Sequence, residues 1–183
     1  VNTTSLGDVN VNDSVSWSTN LLTLNAQNNI NINVALNGSG TAGLVLEYGQ
    51  ANLNVGNLSS YNVNAPVNLA STSSFSTKLG NDVAATSYTV LTALGAEGSN
   101  TASDLQGMNG GLTGNYVLGA NIDASATSTW NSDLAATPTY AGFTPIGALF
   151  TSFNGTFDGL GHTVSNLTVN TPMTNNVGLF GAV

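Results

Sequence analysis

The chain has 183 residues, 41% of them hydrophobic and only 5% charged, with nine acidic side chains against the single cation Lys78 and a net charge of −8. That is enough apolar material to fill a core, and a chain this poor in charge does not have the composition of a disordered one. One cation cannot neutralise a row of phosphates, which excludes nucleic acid and anionic membrane surfaces as partners, and no apolar run approaches the roughly 20 residues that would insert across a bilayer.

The polar remainder is 27 Asn, 23 Thr and 19 Ser, residues that favour turns and the outer faces of strands over helices. Cys is absent. Small extracellular domains usually rely on disulfides, whereas a solenoid, whose coils bury one another, does not need them. The sequence opens at Val1 without a basic and apolar leader, and the expectation is that any signal peptide has been removed or lies upstream.

In chain order, the first clear pattern is Leu22, Leu24, Ala26, Ile30, Ile32, Val34 and Leu36: apolar residues with period two, carried through the polar corner Gln27-Asn28-Asn29. Two consecutive strands thus face one core, and Asn37-Gly38-Ser39-Gly40 closes the unit as a turn. Strand-like phrases follow at 44–49, at Ala51-Asn52-Leu53-Asn54-Val55-Gly56, and at 61–69, where the odd positions are apolar and Asn fills three of the even ones. Short strands in degenerate units of about twenty residues predict an all-β fold, a right-handed parallel β-helix or β-solenoid, over 1–80 and continuing through 81–183. A sandwich or up-and-down barrel also uses alternating strands, but would mark its hairpins with two-residue turns between longer strands. Asn at matching positions of successive coils would form amide ladders along the stack.

Beyond residue 80 the texture changes. One short helix is expected near 101–108, with several N-cap candidates before it and Asn109-Gly110-Gly111 after it. Strands resume over 116–124, with Tyr116, Leu118, Ala120, Ile122 and Ala124 inward, and an irregular excursion near 125–141 holds Trp130 and Pro138. Asp158-Gly159-Leu160-Gly161 reads as a tight corner before strand phrases at 163–169 and 177–183. The last phrase is apolar and has no polar cap, so the chain is expected to be a fragment with further coils after Val183.

The stretch 20–36 resembles the haemagglutinin coil of filamentous-haemagglutinin-like adhesins, the exoproteins of bacterial two-partner secretion. Residues 116–124 with Gly142-Phe143-Thr144-Pro145-Ile146-Gly147 resemble a phrase of their stems, and 153–169 followed by Val177-Gly178-Leu179-Phe180-Gly181 is similar to their GLUG-type repeat. The Asn-Pro signatures of the family's secretion domain are absent, so the likeness is to stem and not to export signal. The resemblance implies a right-handed β-helix, passage through an outer-membrane transporter, a place on the bacterial cell surface or in the medium, and attachment to cells, surfaces or biofilm matrix, but no particular receptor. Host or matrix glycans or copies of the chain itself are the expected partners.

No catalytic, cofactor or metal site is expected. His162 and Asp158 flank a Gly corner, without the four ligands of structural zinc. Asp123, Asp133 and Asp158 provide carboxylates of the kind a polysaccharide-cleaving β-helix uses, but only Lys78 and His162 are available as bases, which argues against an enzyme. The Gly-Gly-x-Gly-x-Asp calcium repeat does not occur, and the six Asn-x-Ser/Thr sequons, at Asn2, Asn12, Asn37, Asn57, Asn154 and Asn166, match chance. The candidate ligand-binding residues are Trp130 and Tyr140, aromatics in the excursion where binding loops leave a rigid scaffold.

Overall fold

The computed structural model describes residues 7–137, 139–171 and 176–183; Asn2 and Pro138 lie outside them. The strands are short: β1 (Val9–Val11), β2 (Val15–Trp17), β3 (Leu21–Asn25), β4 (Ile30–Ile32), β5 (Leu36–Gly38), β6 (Gly43–Tyr48), β7 (Tyr61–Val63), β8 (Val67–Asn68), β9 (Ser74–Leu79), β10 (Thr86–Leu91), β11 (Asn115–Leu118), β12 (Ile122–Asp123), β13 (Thr156–Asp158) and β14 (Val164–Ser165). The chain divides into two compact units, one of Val1–Val90, Val117–Ala120 and Gly159–His162, the other of Leu91–Tyr116, Asn121–Asp158 and Thr163–Val183.

In the first unit every third strand pairs in parallel, β1 with β4 and β4 with β7, β2 with β5 and β5 with β8, and β3 with β6 and β6 with β9. Each side of a solenoid-like coil therefore lies on the same side of the next. The register stacks like on like: Val11, Ile32 and Val63 form one column, Val15, Leu36 and Val67 a second, and Leu22, Leu44 and Phe75 a third. Ile30, Ile32, Leu36, Leu44, Leu46 and Phe75 are buried in a single hydrophobic core, as period two requires. Val34 is only half-buried, because it falls at the corner between β4 and β5, where the alternation is interrupted.

On the outside, Asn31 Nδ2 donates to Asn10 Oδ1 at 2.9 Å and Asn62 Nδ2 to Asn31 Oδ1 at 2.8 Å. Asn33 and Asn64 repeat the arrangement onto Asn12 and Asn33, and Asn68 donates to Asn37, which donates to Ser14. In each ladder the later coil donates to the earlier one, so amide dipoles align along the stack. A residue that leaves no charge on the surface thus satisfies its own side chain by repetition.

The parallel winding ends at β10, which runs antiparallel to β9 with Thr86 opposite Thr77. This departs from a coil that is parallel throughout. Gly80 starts the reversal at φ +83°, and a Cβ there would lie 2.5 Å from the Asn54 nitrogen, so the turn accepts only glycine. Among the described residues no sheet closes into a barrel.

The phrase 51–56 also departs from expectation. It forms turns and bends within residues 49–60, the connection between β6 and β7, and the four-residue corner 26–29 occupies the same place one coil earlier. Asn31 follows Asn10 by 21 positions, whereas Asn62 follows Asn31 by 31, so the second coil is ten residues longer, eight of them in this connection. Their alternation reaches no core.

The second unit is built differently. β12 and β14 pair in parallel, Ile122 with Val164 and Asp123 with Ser165. Trp130 stacks on Phe143, and Phe153 packs between Tyr116 and Phe180. The expected helix over 101–108 is displaced. Ser99 Oγ and Thr101 Oγ1 both donate to Asp104 Oδ2 at 2.8 Å, and Gly107 N donates to Asp104 Oδ1 at 2.7 Å. The would-be caps bind that carboxylate, and only a 3-10 turn, Gln106–Gly110, follows. A second 3-10 turn, Ser125–Thr129, opens the excursion. The phrases 163–169 and 177–183 form only β14 and isolated bridges, Gly142 with Val169 and Ile146 with Phe180.

Candidate functional site

Trp130 points inward. It is 8% exposed, with its ring stacked 6.5 Å from that of Phe143, and so does not offer a face to a sugar. The irregular backbone here bends a large apolar ring into the core of the second unit, as burial of its surface favours. Tyr140, by contrast, is half-buried and lines a groove of about 280 Å³ with Asn131, Asp133, Thr139, Ala141 and Asn170. The antiparallel bridge of Ser132 with Tyr140 and the bond from Ala141 N to Asn131 O hold that groove. The structure thus places Trp130 and Tyr140 on one excursion but gives them different surroundings.

The carboxylates considered for chemistry are engaged locally. Asp133 accepts from Thr139 Oγ1 at 2.6 Å and from the amides of Ala135 and Thr139. The Thr139 side chain first, then those amides, lower its pKa below the ordinary value. Asp123 is lowered too, chiefly by Asn166 Nδ2 at 3.0 Å and then by the Ser125 amide. His162 Nε2 lies 3.0 Å from the Val67 carbonyl, and His162 N closes the corner onto Gly159 O. The corner's positive φ falls at Leu160 and Gly161. Among the described residues no group of three or more His, Cys, Asp or Glu is arranged to hold a metal ion, and no helix is long and apolar enough to cross a membrane.

Two surfaces missed by sequence reasoning stand out by exposure. The loop 49–60 turns Leu53, Val55 and Leu58 outward, 60%, 90% and 95% exposed, beside a groove of about 600 Å³ lined by Asn28, Asn29, Asn57 and Ser59. In the second unit, Ala148 and Thr151 form a tight antiparallel bridge, and Leu149 and Phe150 project from its tip. The signal for the first was present as a coil ten residues too long, but its alternating pattern looked like a strand.

Comparison with known proteins yields little. No family model matches the chain, and no solved structure matches it. A stretch of 71 residues is 46% identical to halomucin of Haloquadratum walsbyi, which amounts to 37% of this chain and 1% of halomucin's own length.

Proposed function

We propose that the chain is a stem segment of a secreted bacterial surface adhesin, wound as a right-handed parallel β-helix, of the filamentous-haemagglutinin-like kind exported by two-partner secretion. Its role in this reading is mechanical and adhesive: a stiff, low-charge rod that carries contacts to cells, surfaces or biofilm matrix and performs no catalysis. The observation that carries the reading is the three-coil register with its amide ladders, since backbone and side-chain bonds there run from coil to coil. The likeness to a protein named halomucin supports an extracellular setting.

Two measurements test it. Beads coated with the chain should be retained under flow on cells or matrix polysaccharide, and retention no greater than on bare beads sinks the adhesive role. Pulled from its ends, the rod should lengthen in steps of about 7 to 10 nm, the extended lengths of coils of 21 and 31 residues; a single featureless extension at low force removes the mechanical role.

A second reading has one observation in its favour. The groove beside Tyr140 combines an aromatic ring with amide, hydroxyl and carboxylate groups, the set that sugar binding uses. On a glycan array Tyr140→Ala would abolish a signal that Trp130→Phe preserves, and an array without signal eliminates this reading. A non-catalytic stem joined to an enzyme or toxin domain is decided by the complete open reading frame.

A further inference from the structure

The loop 49–60 is rigidly held and yet apolar outside. Gln50 Nε2 donates to the carbonyls of Tyr48 and Gly80 at 2.9 Å, and Asn57 Nδ2 donates to Gly49 O at 2.8 Å. Asn54 Nδ2 donates to Leu79 O at 2.9 Å, and Ser59 Oγ bonds Asn28 Oδ1 at 3.0 Å. A loop serving only as a corner needs four residues, as the preceding coil demonstrates, and has no reason to place three aliphatic side chains in water. Such a preorganised apolar ridge loses little freedom when covered, which favours association.

Its electrostatic frame selects the occupant. None of the residues lining the groove is charged, but one carboxylate bonds two of them and a second bonds Asn54, between Leu53 and Val55. Asp8 Oδ1 accepts from Asn28 Nδ2 and Asn29 N at 2.9 Å, and Asp82 Oδ1 accepts from Asn54 N at 2.6 Å. The chain's sole cation, Lys78, faces Glu47 in the β6–β9 register, and the net charge is −8. A second copy would bring the same negative field, and anionic lipid would be repelled. A segment with apolar side chains between basic ones matches both features.

We propose that the ridge of Leu53, Val55 and Leu58, backed by Asp8 and Asp82, docks a basic amphipathic peptide segment of a partner protein. The site owes nothing to the stem reading and stands or falls separately from it. The probe is a fluorescein-labelled 14-residue peptide of alternating Leu and Lys pairs, titrated by anisotropy against the intact chain. Saturable binding is expected, weakened at least tenfold by the Val55→Ser/Leu58→Ser pair and about threefold by Asp82→Asn, which retains an acceptor for Asn54 N. Leu21→Ser, an exposed apolar residue elsewhere, should change nothing. Replacing Lys by Gln in the peptide should cost about as much as raising the salt to 0.5 M.

Unchanged thermal melting certifies the variants; if the pair lowers it, Leu58→Ser alone, at the most exposed of the three positions, decides. Equal affinity for wild type and variants overturns the proposal. So does capture by phosphatidylcholine vesicles that the same variants abolish, which assigns the ridge to lipid. A concentration-dependent dimer lost in those variants assigns it to a second copy and overturns the proposal as well.

Discussion

Asn31 in the first unit meets Asn10 on one side and Asn62 on the other with the same geometry, whereas Gln106 in the second unit has a single arrangement found once. Gln106 is buried, donating through Nε2 to Thr144 O and accepting from Thr144 N through Oε1, both at 3.1 Å. Asn109 does the same for the next residues, accepting from Gly147 N at 3.0 Å and donating to Pro145 O at 3.3 Å. In the first unit an amide satisfies its own kind by translation along the stack; in the second, amides substitute for a missing strand. A ladder amide lies at the surface, where water can replace a lost partner, whereas the Gln106 amide is buried and has only the Thr144 backbone to bond.

Core truncation should have the largest effect in both units. Ile32→Ala is expected to cost about 2–5 kcal/mol and Phe143→Ala about 3–5 kcal/mol in urea unfolding, since both side chains are buried and their neighbours cannot close the void. A cost below about 1 kcal/mol at Ile32 would mean that the columns are not packed as described.

Next comes Gln106→Leu, which removes both bonds to the Thr144 backbone and should cost about 2 kcal/mol, with faster amide exchange at Thr144. Asn31→Ala breaks two ladder bonds at a partly exposed position, for about 1 kcal/mol. If Asn31→Ala proves as damaging as Gln106→Leu, the contrast between the units fails.

The smallest effect concerns pH. Asp133 and Asp123 have folded pKa values below their unfolded value of 3.8, so the unfolded state binds protons first as pH falls. Their contribution is complete above the ordinary carboxylate range and is lost as pH falls through the lowered folded values. Both groups are exposed, so the change in Tm should be slight. Asp133→Asn should flatten that acid dependence, and melting curves between pH 6 and pH 2 check it.

The core columns of the first unit were legible because a pleated strand alternates its faces: Ile30 and Ile32 could only point together, and Asn31 between them only away. The ladders followed from the same alternation once strands stack in register. The loop 49–60 was not legible, since Leu53 and Val55 obey the same alternation while their segment has no neighbouring strand to extend. For Trp130 the direction of the ring depended on Phe143, thirteen positions on, and not on any local pattern.

Local periodicity and composition by themselves determined which residues alternate, that turns are built from Asn and Gly, and that the surface carries almost no cations. Which alternating phrases reach a core, where β10 reverses, and whether an aromatic faces in or out were decided by tertiary structure alone. The reason is that period two specifies the two faces of a strand, while burial is a property of whatever lies across from them.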